Sequence, residues 1–377
     1  MISKSFSSTM LSLSRNLSIF LFILCGLFSA IPQVVEAEPR AFRFGISCPL
    51  SGVLAEYGMA VRNGVEMARL ENPQAFSHIE IFFEDSQWDP KVAVSAFRAL
   101  KTGRQVDLVY NWGNPTSEAV APIAEQGRVP TIVMSSDPEI AVNKRFITRS
   151  INSAAQLGSL AADEIASRGF KSVGVIVADN SYLNGIFEGI QGSLNGRAKL
   201  DIIERVPLDT QDFRSVIARI KSRGYDLIGA LLISGQVSSF YKQMKTQGVN
   251  LPSFGADFLD SPSELAAAGS AVEGAFHPNF DVMDDFRARY LAKYGNDVQI
   301  PFAANAFDVA NIVAGLFGTA AFREIPSGEV IVDKIRSTSE HVGANGALSV
   351  RRGPLGDYYF HYPLVIKEAR GGRSVKR

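Results

Sequence analysis

Residues 41–70, AFRFGISCPLSGVLAEYGMAVRNGVEMARL, carry the pattern that decides the fold. Ala41–Cys48 reads as a strand, Pro49-Leu50-Ser51-Gly52 as a turn, and the stretch from Ala55 to Leu70 as a helix. The same alternation continues downstream. Residues 79–84 form an apolar strand and 90–101 a helix with Val92, Val94, Phe97 and Leu100 on its apolar face. Short apolar runs rich in β-branched residues follow at 106–110, 131–134, 173–177 and 227–233, each ending in a turn rich in Gly, Ser, Asn or Pro and then a helical pattern. Helices at 154–167, 183–194, 213–222 and 238–246, with a strand at 202–206, repeat the plan in the second half. Strands apolar throughout and alternating with helices predict parallel sheets covered on both faces. After Gly274 the pattern gives helices at 281–294 and 301–317, then short strands at 348–350, 358–361 and 364–367.

Composition limits what such a chain can do. Its 377 residues suffice for about two domains. Thirty-eight basic side chains balance 38 acidic ones, so the basic face expected of a nucleic-acid binder has no support in the charge count. Two cysteines, Cys25 and Cys48, can build neither a disulfide framework nor a four-thiolate metal site. Cys48 ends an apolar strand and is expected in the core.

Residues 1–37 read as a secretory signal. Lys4 and Arg15 precede the uncharged run LSIFLFILCGLFSAI (17–31), and Val35-Glu36-Ala37 offers small or short residues at −3 and −1 for cleavage. The run is shorter than the ~20 residues of a membrane span. Cys25 lies inside it behind Ile23-Leu24, where a lipidation site needs a small residue.

No nucleotide-binding glycine motif, Walker sequence or nucleophile elbow occurs. His78, His277, His341 and His361 have no metal-ligand spacing, so neither enzyme, metal nor cofactor is expected. What remains are polar turns where strands end and helices begin, the place at which open α/β sheets bind ligands. They are Pro49–Gly52 leading to Tyr57, then Asn111–Ser117 with Trp112, Asn114, Thr116 and Ser117. Ser135-Ser136-Asp137-Pro138 and Asn180-Ser181-Tyr182 complete the set. Helix N-termini there present free N–H groups suited to a carboxylate. The basic residues Lys367, Arg370, Arg373, Lys376 and Arg377 read as a solvated tail.

Five stretches then match one family in order: GISCPLSGVLAEYGMAVRNGVEMA (45–68), NPTSEAVAPIAEQGRVPTI (114–132), VGVIVADNSYLNG (173–185), YKQMKTQGVNLPSFGADF (241–258) and FRARYLAKYGNDVQIPFAANAFDVA (286–310). On these the chain resembles the type I periplasmic substrate-binding proteins of ABC importers, in the branch that includes the Leu/Ile/Val-binding proteins. The resemblance implies an α/β fold of two Rossmann-like lobes with parallel central sheets, joined by a three-segment hinge. Crossings would fall near 150–152, 278–280 and 341–346. Lobe 1 would then hold 38–150 and 280–340, lobe 2 151–279 and 341–370, with 371–377 as a tail.

The family's roles, carried over by position, put Tyr57 against the ligand side chain and Thr116 or Ser117 on its carboxylate. Ser135 and Ser136 would add donors, Tyr182 an aromatic contact and Asp257 the partner of an ammonium. The implied ligand is an amino acid or related small carboxylate, the implied partner an ABC permease at the inner membrane, and the implied location the periplasm. A periplasmic ligand sensor of the same fold is the alternative. Three positions depart from the pattern. Trp112-Gly113-Asn114-Pro115 replaces a hydroxyl-rich turn, Ser234-Gly235-Gln236 replaces aromatic residues, and Cys48 has no partner for the family's disulfide. The pocket is therefore expected to differ from one tuned to leucine.

Overall fold

The computed structural model describes residues 38–377; the expected signal segment and Cys25 lie outside the described residues. The opening stretch folds as read. Strand β1 (Phe42–Cys48) is followed by α1 (Ala55–Glu71) and β2 (Ile79–Asp85). Next come α2 (Pro90–Arg98), β3 (Leu108–Trp112), α3 (Asn114–Gln126), β4 (Thr131–Met134) and β5 (Ile147–Arg149). Side chains alternate across this sheet as the period of two requires. Phe42, Phe44, Ile46, Leu108 and Tyr110 face one apolar core, while Val109, Val133 and Ile147 face another.

A second run holds α4 (Ala154–Ser167), β6 (Ser172–Ala178), α5 (Ser181–Leu194), β7 (Lys199–Val206) and α6 (Arg214–Arg223). It continues with β8 (Leu227–Leu231), α7 (Gln236–Thr246), β9 (Ser253–Gly255), a 3-10 turn at Asp257–Asp260, α8 (Pro262–Ala268) and β10 (Phe276–Phe280). Helices α9 (Asp284–Tyr294), α10 (Ile300–Phe317) and α11 (Gly328–Arg336) precede β11 (His341–Gly343), β12 (Gly346–Arg352), β13 (Tyr358–His361), β14 (Leu364–Arg370) and β15 (Arg373–Lys376). Two sheets result, ordered β11-β12-β13-β5-β4-β3-β1-β2 and β15-β14-β10-β9-β8-β6-β7. Both are parallel through their middle and antiparallel at one end. The fold is therefore α/β, with two parallel-dominated sheets.

Close helix packing holds the layers together. Helix α10 returns from the second run to the first and lies on α1, where a Cβ on Gly64 would stand 2.0 Å from the Ala303 carbonyl oxygen. Among the described residues α10 is the helix long and apolar enough to cross a membrane, but 72% of it is buried. It is a core helix. Cys48 is fully buried, as expected of a small apolar side chain.

Two expectations need correction. The second-lobe segment expected at 341–370 divides: β11, β12 and β13 extend the first sheet, with Tyr359 in parallel register with Arg149, and only β14 lies in the second. The cause is Asp308 on α10. Its carboxylate accepts from Ala344 N (2.5 Å) and Asn345 N (3.1 Å), pinning the β11–β12 turn to the first core. The third passage between sheets accordingly lies between β13 and β14, at 362–363 and not at 341–346. The supposed basic tail is strand β15, paired antiparallel with β14. Gly371-Gly372, with φ of 56° and 75°, forms the two-residue turn that left-handed geometry favours in hairpins. Lys376 pairs with Asp281 at 2.5 Å, and Arg377 pairs with Glu164.

Candidate functional site

The polar turns of the first sheet gather at the carboxyl ends of β1 to β4. Gly113, at φ 97°, adopts a backbone that only glycine takes readily, and it lets Trp112 and α3 meet at a sharp angle. A Cβ there would lie 3.2 Å from the Trp88 ring, so the indole of Trp88 packs directly over the Gly113 backbone. Pro115 stands in the first turn of α3 and has no N–H to offer.

Three aromatic rings meet beside this turn. Tyr57 from α1 lies 5.4 Å from Trp112 and 5.1 Å from Phe302 on α10, and Trp112 lies 5.7 Å from Phe302. Trp112 is 5% exposed and its Nε1 has no partner among the described residues, whereas Tyr57 and Phe302 keep partial exposure.

Asn114 links the second and third turns. Its Oδ1 accepts from Ser136 N (3.1 Å) while its Nδ2 donates to Ser136 Oγ (3.2 Å). Thr116, Ser117 and Ser135 are fully buried. The Thr116 hydroxyl donates to the Gly113 carbonyl (3.0 Å) and also to that of Trp112. Asn111 Nδ2 donates to Thr116 Oγ1 (3.2 Å) and Ser117 Oγ (3.0 Å), and Asp137 N donates to Ser135 Oγ (3.1 Å). These hydroxyls hold their own turns in shape. Arg149, the guanidinium behind them, is enclosed by Asp357 (2.7 Å) and the carbonyls of Ser135 (3.2 Å) and Ile151 (3.0 Å).

The second sheet contributes Tyr182 and Asp257. Asn180 caps α5 by accepting from Tyr182 N at 2.9 Å, which sets the ring at the first turn of the helix. Tyr182 Oη donates to Asp257 Oδ1 (2.9 Å), and the ring meets Phe258 edge-on at 6.4 Å. Asp257 starts the 3-10 turn whose other end, Asp260, accepts from Lys367 Nζ (2.9 Å) and Asn279 Nδ2 (3.0 Å). The carboxylate is thus carried on a turn anchored to β10 and β14. Loss of hydration among these side chains raises the Asp257 carboxyl to about 6, against the hydrogen bond from Tyr182 that holds it down. Burial pushes Tyr57 up to about 12, with the Asp257 charge the next contribution. Tyr182 is raised well above its ordinary value by burial and then by Asp257.

The residues singled out from the sequence therefore fall into groups. Tyr57 and Trp112 join Phe302, Asn114 joins Ser136, and Tyr182 joins Asp257. Thr116, Ser117 and Ser135 are fully buried, each with its hydroxyl hydrogen-bonded within its own turn or strand end. The sequence reading missed Phe302 and Trp88. Trp88 could have been found, since Ser86-Gln87-Trp88-Asp89-Pro90 lies at a strand end and has a polar residue before proline, as Asn114-Pro115 and Asp137-Pro138 do in two of the turns singled out. No cluster of metal-ligating side chains occurs among the described residues.

Comparison with known proteins follows the same lines. Residues 41–357 match the family model described as periplasmic binding protein. The Leu/Ile/Val-binding protein homolog 6 of Brucella abortus (strain 2308) is 29% identical over 264 residues, covering 66% of each chain, so this chain spans just under two thirds of that relative. Among solved structures, a leucine binding protein from Thermotoga maritima MSB8 superposes with TM-score 0.75 at 21% identity, over 89% of this chain and 98% of the other. A solute binding protein of an R. palustris ABC transporter in complex with benzoate gives 0.73 at 19% identity, over 89% and 95%. The branched-chain amino acid transporter substrate binding protein LivJ from Streptococcus pneumoniae, in complex with isoleucine, gives 0.73 at 20%, over 90% and 100%. At these identities the structural likeness concerns the fold.

Proposed function

Because the chain belongs to the periplasmic binding protein family, whose members are substrate-binding proteins of transporters and not enzymes, we propose that it captures a small amine-bearing ligand between its two sheets. An amino acid or a related small carboxylate is the first class to test. The protein closes on the ligand and hands it to an ABC permease at the inner membrane, working in the periplasm after its leader is removed. One observation supports this reading: Asp257, held by the Tyr182 hydroxyl at 2.9 Å, offers a carboxylate that makes no ion pair among the described residues. A carboxylate that has lost hydration is stabilised by a cation brought to it, with ~1.5–3 kcal/mol net for a charge-assisted hydrogen bond.

Capture without turnover is tested by thermal shift against amino acids, amines and small carboxylates. A ligand at about 100 times its Kd adds ~2.7 kcal/mol to stability and should move the midpoint visibly. The ligand must be recovered chemically unchanged. A silent screen, or turnover of a hit, would sink the reading. Delivery is tested by uptake of the labelled hit in cells with and without this chain, where equal uptake would remove the transport role.

A further inference from the structure

We propose that Lys367 is a positioning residue of the ligand site. Through Asp260 it fixes the turn that carries Asp257 and takes up the second of that turn's two carboxylates, leaving Asp257 as the one that meets a cation. This rests on the capture reading above and adds the residue that governs the state of its carboxylate.

Residues Asp257–Asp260 form one 3-10 turn. With three residues per turn, side chains at i and i+3 eclipse, so Asp257 and Asp260 leave the backbone on the same side. Two carboxylates so placed oppose each other's ionisation. The compensating cation comes from another element. Lys367 stands on β14 directly opposite His277 of β10, and its side chain is 7% exposed. Its Nζ donates to Asp260 Oδ2 at 2.9 Å, and Asn279 Nδ2, two residues along β10 from His277, donates to the same oxygen at 3.0 Å. His277 Nε2 lies 2.9 Å from Ser374 Oγ of β15. Burial pushes His277 down to about 4, so at pH 7 it is uncharged and Lys367 is the cation of this group.

Asp257 has a different set of partners. Its Oδ1 accepts from the neutral Tyr182 hydroxyl of α5, and it makes no ion pair among the described residues. The two carboxyls of the turn accordingly part. Burial works to raise both. At Asp260 the Lys367 charge is the largest of the contributions that outweigh burial, and this carboxyl lies below its ordinary value. Asp257 stays raised at about 6, with the Asp260 charge adding to the rise and the Lys367 charge opposing it. A buried ion pair is a weak source of stability, because desolvation offsets most of the attraction. Apolar side chains would fill the face of β10 and β14 as well. What they would not do is hold Asp260 ionised and turned away from Asp257.

The test uses the full mature chain without ligand, labelled with [4-13C]aspartate and titrated by NMR between pH 4 and 9. The Asp257 carboxyl resonance is identified by its loss in Asp257→Asn. Lys367→Met should raise the Asp257 midpoint by about one pH unit or more. Lys367→Arg, which keeps the cation, should return it close to the unmodified value. Asp260→Asn added to Lys367→Met should bring it back down, because the second carboxylate is then gone. A merely structural lysine would change the thermal midpoint and leave this titration in place. An unmoved Asp257 titration in a folded Lys367→Met variant overturns the proposal. If that variant does not fold, Asp260→Asn alone decides: Asp257 should titrate lower, and no movement overturns the proposal. Since no ligand enters the measurement, a silent ligand screen overturns the capture reading without touching this result.

Discussion

Asp257 concentrates the pH dependence of the site. Its carboxyl lies at about 6 when folded against an ordinary 3.8, because loss of hydration outweighs the Tyr182 hydrogen bond. The charged and titratable groups acting on it are Tyr182, Asp260 and Lys367, and its own charge acts on Tyr57. A folded value above the unfolded one means that the ligand-free protein loses stability as pH rises from about 4 to 6. Binding of a cation has the opposite sign, since it needs the ionised form. Affinity should be flat above pH 6.5 and fall below 6 by up to about tenfold per unit. Calorimetry between pH 5 and 8 checks this, and Asp257→Asn should both weaken binding by about ten- to a hundredfold and remove the slope. A slope that persists in the variant would assign the titration to another group. Residue types at this scale were partly legible in the sequence. Asp257, Tyr182, Tyr57 and Trp112 stand out as polar or aromatic residues at strand ends and in the helix turns that follow them. Whether a hydroxyl is free is not legible, because that depends on where a carbonyl three or four residues away points. Thr116 and Ser135 look like ligand donors in the sequence and prove to be turn formers.

At the scale of elements, α4 was readable to its ends. Ser153 caps it, its hydroxyl accepting from Gln156 N (3.3 Å) while Gln156 Oε1 accepts from Ser153 N (2.8 Å). That reciprocal pair is written in four consecutive residues. Strands β5 and β9 escaped notice because three residues are too few to show a period. What no local reading shows is how closely helices approach. A Cβ on Gly158 of α4 would lie 2.0 Å from the Ile186 carbonyl oxygen, and one on Gly189 would lie 2.1 Å from that of Ala155. The α4–α5 contact is therefore made by backbone against backbone. Gly158→Ala should cost about 1–3 kcal/mol by forcing the helices apart. Gly192→Ala on the same α5 meets nothing within 4 Å and should be neutral or stabilising by up to ~1 kcal/mol. Urea unfolding of the two variants separates these outcomes, and equal stabilities would contradict the close approach.

At the scale of the whole molecule, three passages of chain between the sheets bring distant segments into one site. The β14–β15 hairpin completes the second sheet, and Lys376 and Arg377 neutralise Asp281 and Glu164. Deleting 373–377 should lower the thermal midpoint by about 2–4 °C for each kcal/mol lost. A solvated tail would change nothing. By itself the sequence determined the alternation of strand and helix, the turns at strand ends and the identity of the candidate charged and aromatic groups. Those follow from periodicity and turn chemistry, which act over a few residues. Only the tertiary structure decided that β11 to β13 join the first sheet, that the last residues form a strand, and that Asn114 closes on Ser136 while Asp257 makes no ion pair among the described residues. Each of those outcomes depends on a partner from another turn or element, 22 residues away for Asn114 and Ser136 and 36 for Asp308 and Ala344. Such pairings are set by how the elements pack together.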